Sequence, residues 1–338
     1  MKAIVIQTDK ENRPLVWQDV ADPSFGPDEV LVDIHATALN RADLMQRAGN
    51  YPPPPGASDI LGLELAGRIA AVGDNVTGWQ AGDRVCALLP GGGYAERAGV
   101  PASMLMPIPD HWSFEQAAGL PEVFLTAFVN LFIEAGLQPG ETALIHGGAS
   151  GVGTAGIQLL RAVGNPVFVT AGTAEKTERC RVLGATLAIN YKQEDFVERI
   201  LAGTHGQGVD VILDMVGAAY LERNLRLLKL RGRLVLISML SGGKTEINLG
   251  ALMGRRLRLI GSVLRSRSLA EKVEIKERFV ERFWANLEDG SIRPVIDSVY
   301  PIEQAHEAHQ YMAENRNIGK IILKVCSGQR QVEHLPGS

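Results

Sequence analysis

Cysteine is scarce in this chain: Cys86, Cys180 and Cys326 are all it has, far apart and odd in number. A disulfide framework is therefore excluded, and no C-x-x-C pair exists to found a structural zinc site. His306-Glu307-Ala308-His309 falls one residue short of H-E-x-x-H, whose histidines need i, i+4 spacing to share a helix face. The reading there is no metal and two solvated helix histidines. Long hydrophobic runs are missing too, so no bilayer span is expected, and residues 1–9 turn polar too early for a secretory signal. Neither sign of charge dominates: a net charge of −4 without a basic stripe argues against nucleic acid as the main partner. A cytoplasmic location is expected.

What the chain does have is glycine in one telling place. Residues 142–153, Thr-Ala-Leu-Ile-His-Gly-Gly-Ala-Ser-Gly-Val-Gly, carry an apolar strand into a glycine-rich turn, and the helical pattern of 154–163 follows. Glycines let the backbone turn tightly and approach a ligand, while the helix N-terminus offers unpaired N–H groups to phosphate. Gly148, Ser150, Gly151, Val152 and Gly153 form a candidate pyrophosphate cradle. Ser150 stands where G-x-G-x-x-G has its middle glycine, and its hydroxyl can still donate to phosphate. A purely structural turn is the competing reading of this motif alone.

Context raises the functional reading. Residues 166–171, 187–191, 209–216, 232–238 and 257–263 read as strands, and 174–183, 193–202 and 219–228 as amphipathic helices, with Gly184 and Gly203 as stops. Strict alternation predicts an α/β fold with a doubly wound parallel sheet, which binds ligands beyond the carboxyl ends of its strands. A length of 338 residues allows about two domains. Before the glycine turn the grammar changes to short alternating segments such as 29–38 and 65–72, punctuated by Pro and Gly, which predicts a mainly β domain. After the helical stretch 270–287, residues 299–302 and 320–325 resume that grammar.

Several motifs carry a resemblance: Ala38 to Arg47, Gly49-Asn-Tyr-Pro-Pro-Pro-Pro-Gly, Leu61-Gly-Leu-Glu-Leu-Ala-Gly, Gly82-Asp-Arg-Val, Gly91 to Gly93, His146 to Gly153 and Asn317-Ile-Gly-Lys-Ile. Over residues 1 to about 325 the chain resembles the medium-chain dehydrogenase/reductase superfamily, and within it the zinc-free quinone oxidoreductases. The resemblance implies a GroES-like domain (1–122), a Rossmann NADPH-binding domain (123–265) and a return to the first domain (266–338) ending in a loose tail. In the zinc alcohol dehydrogenases of that superfamily, a cysteine and a histidine ligand are expected near Asn40 and Leu63, and this chain has neither. Hydride transfer to an acceptor that needs no metal polarisation, a quinone or an activated alkene, is the class implied.

Cofactor choice turns on the end of the second Rossmann strand, where a carboxylate about 20 residues past the turn would hold the 2′-hydroxyl of NAD. Gly172, Thr173 and Lys176 stand there instead, and suit a 2′-phosphate, so NADPH is expected. An ordinary exposed lysine is the plain alternative for Lys176. The resemblance adds Tyr191 near the adenosine phosphate, and Asn40, Thr126, Leu240, Leu264, Gly319 and Lys320 around the nicotinamide, with backbone near Val216 and Gly217 on the ribose. Thr126 as a helix cap and Lys320 as a solvated edge lysine are the bland readings. Tyr51, before four prolines, suits an aromatic plate over a planar acceptor or a ring that ties down its own loop. Asn40 and Asp43 either orient the acceptor oxygen or cap a helix. No residue stands out as a general acid, so catalysis is expected to be largely positioning.

Two other functions stay open: an NADPH-dependent enoyl or alkenal reductase on the same fold, and a non-catalytic NADPH-binding protein of the lens-crystallin kind. The resemblance also implies a homodimer or higher homo-oligomer joined through residues 257–264, which are equally suited to an interior strand.

Overall fold

The computed structural model describes residues 1–325, so the expected tail and Cys326 lie outside the described residues. In chain order, β1 (Lys2–Ile6) and β2 (Leu15–Asp19) form an antiparallel ribbon. The next strands are β3 (Glu29–Ala38), β4 (Glu64–Val72), β5 (Arg84–Leu88), β6 (Arg97–Pro101) and β7 (Leu105–Pro107). Then come β8 (Ala143–His146), β9 (Val167–Ala171), β10 (Leu187–Asn190), β11 (Val209–Asp214), β12 (Leu228–Leu236) and β13 (Arg258–Gly261). Last are β14 (Ile296–Pro301) and β15 (Lys320–Lys324).

Two sheets result. One is seven-stranded in the order β14-β15-β3-β4-β5-β7, with β6 also paired to β3, and apart from the parallel β14-β15 pair its neighbours are antiparallel. Along β3, Val30, Val32, Ile34 and Ala36 are fully buried while the residues between are half-exposed, the period-two signature of a sheet with one core face. The other sheet is six-stranded and parallel in the order β10-β9-β8-β11-β12-β13. Its central strands β8 and β9 are buried at every residue, as a sheet covered on both faces requires. Strand order reverses between β8 and β11, so the carboxyl end of β8 opens at the switch point, where such sheets hold ligands.

The helices are α1 (Arg41–Arg47), α2 (Phe114–Ala118), α3 (Pro121–Phe128), α4 (Gly151–Ala162), α5 (Ala174–Leu183), α6 (Phe196–Gly203), α7 (Leu221–Leu227), α8 (Leu249–Gly254), α9 (Leu269–Glu288) and α10 (Ala305–Ala313). Helix α9 buries Ile275, Phe279, Phe283 and Leu287 at i+4 spacing. Phe279 and Phe283 meet Phe128 of α3 with ring centroids 5.7 and 6.1 Å apart, which locks α9 onto the helix that opens the site. Among the described residues no helix is long and apolar enough to cross a membrane.

Some expectations need correction. Helix α6 starts at Phe196 rather than residue 193 because the Asp195 carboxylate accepts from the N–H groups of Val197 and Glu198. It runs through Gly203, and the left-handed turn falls on His205 and Gly206 (φ 51° and 81°) instead. Gly184 does stop α5, at φ 113°. Strand β12 begins four residues before the expected 232. The interior-strand alternative for residues 257–264 fails: β13 is the outer strand of its sheet, with Leu259 and Val263 37% and 49% exposed.

Candidate active site

At the end of β8 the chain turns at Gly147 (φ 69°), a position the sequence reading passed over. A Cβ on Gly148 would lie 2.6 Å from Val169, and one on Gly153 2.3 Å from the Gly147 carbonyl oxygen, so neither tolerates a side chain. Ser150 is the N-cap of α4: its Oγ accepts from the Gly153 N–H at 3.0 Å, which leaves the hydroxyl proton and the N–H groups of Gly151 and Val152 for a ligand. The two sheets meet here. The Gly319 N–H donates to the Ala149 carbonyl at 2.8 Å, and a Cβ on Gly319 (φ 84°) would lie 2.2 Å from the Val295 oxygen. A Cβ on Gly151 would meet both Val123 of α3 and the Lys320 stem, at 2.8 and 2.9 Å.

Behind that turn lies a charged knot that no sequence pattern announced. The Lys320 ammonium has three acceptors, Glu64 Oε1 (2.8 Å), the Leu39 carbonyl (2.7 Å) and Asn40 Oδ1 (2.7 Å), and is buried with Glu64. Asn40 Nδ2 donates to Glu64 Oε1 (2.8 Å) and more weakly to the Ala38 carbonyl, and the Glu122 N–H donates to Glu64 Oε2 (2.8 Å). The solvated-edge reading of Lys320 is thus overturned. Its charge faces inward, so only its stem and backbone adjoin the glycine turn.

Asp43 also departs from the expectation that it faces the acceptor. Its carboxylate is fully buried, accepting from the N–H groups of Asn40 (2.7 Å) and Gly62 (3.2 Å) and from the Tyr94 hydroxyl (3.2 Å). It caps α1 and ties that helix to the Leu61–Gly62 loop. Burial pushes its carboxyl up to about 6 against those hydrogen bonds and the Lys320 charge. Asn40 is 8% exposed with its amide fully engaged, which makes it a member of the knot. The pair His306 and His309 is not a solvated face either: His309 is buried, its Nε2 lies 3.2 Å from the Tyr94 hydroxyl, and burial lowers it to about 3. Among the described residues no group of three His, Cys, Asp or Glu is arranged to hold a metal ion.

Close to Asp43 and Glu122 lies Arg265, which is buried and was not singled out in the sequence. It donates to the Pro90 carbonyl (2.8 Å) and Gln46 Oε1 (2.7 Å), and its guanidinium lies over the Tyr51 ring, 5.2 Å from the centroid. Tyr51 is therefore held by a cation as well as by its prolines, and burial and the Glu122 charge raise its phenol. Leu264 is buried beside Arg265. Thr126 sits inside α3, which removes the helix-cap alternative, and its hydroxyl has no partner among the described residues.

At the far end of β9, the Thr173 hydroxyl caps α5 by accepting from the Lys176 N–H (3.1 Å), and the Lys176 ammonium donates to the Asn315 carbonyl (2.5 Å). A Cβ on Gly172 would lie 3.1 Å from the Tyr191 hydroxyl and 3.5 Å from Lys192 Cε, so both side chains lie over this glycine. Lys192 is a second cation that the sequence reading missed: burial lowers the pKa of Lys176, the Asp297 and Glu175 carboxylates oppose that, and the Lys192 charge adds to the lowering. At the end of β11 the backbone is already occupied. Asp214 accepts from the N–H groups of Val216 and Gly217, and the Val216 carbonyl accepts from Ser241, while Leu240 is exposed beside them.

Residues 26–110 match the model of the alcohol dehydrogenase GroES-like domain, and residues 151–281 that of the zinc-binding dehydrogenase. The quinone oxidoreductase of Rattus norvegicus is 34% identical over 307 residues, covering 90% of this chain and 92% of that protein. The chain belongs to the zinc-free quinone oxidoreductases of the medium-chain dehydrogenase/reductase superfamily. Among solved structures of this superfamily, Escherichia coli quinone oxidoreductase complexed with NADPH superposes with a TM-score of 0.86 at 30% identity, over 96% of this chain and 100% of that one. The CurK enoyl reductase does so at 0.83 and 28% identity, over 96% and 99%. The chain is accordingly an oxidoreductase, and a nicotinamide cofactor is supported. Its residues fit that cofactor: side-chain-free glycines and open N–H groups for a pyrophosphate at the switch point, and cations at the end of the neighbouring strand.

Proposed function

We propose that this oxidoreductase reduces quinones with NADPH in the cleft between the two sheets, without zinc. The observation that carries the reading is the convergence of the glycine turn, the first turn of α3 and Gly319–Lys320, with the stacked Tyr51 and Arg265 within reach of the Glu122 charge on α3. NADPH, when bound, supplies a hydride from its nicotinamide. The N–H groups of Gly151 and Val152 hold the pyrophosphate, and Thr173, Lys176 and Lys192 hold the 2′-phosphate. Tyr51, backed by Arg265, offers a flat surface for a planar acceptor. The Glu64–Lys320–Asn40 knot holds the cleft floor in one geometry, in keeping with catalysis by positioning. The cysteine and histidine ligands that the superfamily's zinc alcohol dehydrogenases are expected to carry near Asn40 and Leu63 are missing from this chain, which is why the chemistry is read as zinc-independent.

The domains are taken as 1–122 together with 266 onward, and 123–265, the protein as cytoplasmic, and its oligomer as a homodimer or higher homo-oligomer joined through the exposed β13 edge. The enoyl reductase neighbour supports an alkenal double bond as a second acceptor class. Initial rates of anaerobic NADPH oxidation with an ortho-quinone and with a matched α,β-unsaturated ketone test the choice. Faster quinone turnover is expected, faster enone turnover replaces the reading with the alkenal reductase, and tight NADPH binding without turnover replaces it with a non-catalytic role.

A further inference from the structure

Hydride transfer leaves an oxyanion on the acceptor, and the groups first singled out cannot protonate it readily. Asp43 is fully buried with its carboxylate engaged, Lys320 is enclosed by three acceptors, and the Tyr51 phenol is made a weaker acid by burial. One further acid lies close enough for its charge to bear on Tyr51, Arg265 and Lys272. Glu122 occupies the second position of α3, one helical turn before Thr126 and next to Val123, which packs against the glycine turn. Its backbone is fixed by the hydrogen bond to Glu64, yet its carboxyl, on a half-buried residue, has no hydrogen bond or ion pair among the described residues.

The geometry points to Glu122 as the proton donor to the reduced acceptor, an inference that rests on the proposed hydride transfer. As a quinone takes the hydride, one oxygen is left negative. The O–H bond of the Glu122 carboxyl breaks, a quinol O–H forms, and the carboxylate regains its proton from solvent, so each turnover uses one hydride and one proton. The surroundings keep the acid loaded. Burial and the facing carboxylates of Glu64 on β4 and Asp43 on α1 outweigh Lys320 on β15 and Arg265 after β13, raising the carboxyl to about 8. Tyr51 and Lys272 of α9 also lie within reach of its charge.

The test is a pH titration of the protein without cofactor by difference infrared spectroscopy, paired with kinetics. Wild type is expected to lose a protonated-carboxyl band with a midpoint near 8, a band absent from Glu122→Gln. In the same variant kcat is expected to fall about 100-fold with NADPH affinity retained, and the alkaline limb of the kcat profile to vanish. Glu122→Asp, which keeps an acid, is expected to restore part of the rate and the limb, and serves if the glutamine variant does not fold. An unchanged kcat and alkaline limb in Glu122→Gln, or a wild-type carboxyl already ionised at pH 6, overturns the assignment. Absence of NADPH turnover in wild type with any acceptor sinks the proposed function instead, and the infrared titration still reports on the carboxyl.

Discussion

Lys320→Met cuts the knot at its centre. The substitution keeps most of the stem that packs against the glycine turn and removes the charge, leaving the Glu64 carboxylate wholly buried with only the Asn40 amide and the Glu122 N–H to satisfy it. The Leu39 carbonyl and Asn40 Oδ1 lose a donor at the same time. Removing one partner of such a buried pair costs about 3–5 kcal/mol, because the remaining charge is unpaired in a low dielectric. An unfolding entropy of about 2.1 cal/mol/K per residue over 338 residues gives roughly 0.7 kcal/mol/K, so Tm should drop by about 4–7 °C. Urea unfolding followed by tryptophan fluorescence should show a lower midpoint with an unchanged slope. Adding Glu64→Gln, which keeps an acceptor oxygen and carries no charge, should recover part of the loss and give a clear coupling energy. A single-variant loss under about 1 kcal/mol, the value of an exposed pair, would refute the argument.

Other consequences can be checked separately. Lys176→Ala and Lys192→Ala should each raise KM for NADPH by about 10–100-fold, the worth of a charge-assisted hydrogen bond, and leave KM for NADH nearly unchanged; equal effects on both cofactors contradict the 2′-phosphate site. Gly153→Ala, whose new Cβ would lie 2.3 Å from the Gly147 oxygen, should weaken NADPH binding at least about 10-fold by fluorescence titration; an unchanged Kd speaks against the cradle. Glu122 also links stability to pH. Its folded pKa of about 8 lies above the ordinary 4.5, so the folded state keeps a proton that the unfolded chain releases. Its contribution is complete below about 4.5 and is lost as pH rises through 8, a change on the order of a few kcal/mol. Urea midpoints from pH 5 to 8.5 should fall more steeply in wild type than in Glu122→Gln, and parallel curves contradict the shift.

The parallel sheet was legible because its strands β8 and β9 are almost wholly apolar and its helices begin and end at Ser150, Thr173 and Gly184, whose cap chemistry is local. Asp195 shows the limit, since its cap was written in the same alphabet and displaced a helix start by three residues from the periodicity reading. The glycine turn was legible for the same local reason. The knot was not: Glu64, Asn40 and Lys320 are separated by 24 and 280 residues, and only the fold makes one lysine inward-facing. Arg265 likewise looked like any basic residue until the Tyr51 loop closed over it. Glu122 followed a proline at a helix start, an ordinary place for a carboxylate beside the helix dipole, and only the charges gathered from distant segments make it unusual.

The most direct test of the account is an anaerobic single turnover with an ortho-quinone and NADPH deuterated at the transferred C4 position. The account predicts one quinol formed per NADPH consumed, slowed by a primary isotope effect. A protein that binds NADPH tightly yet consumes none, with quinone or enone, contradicts it.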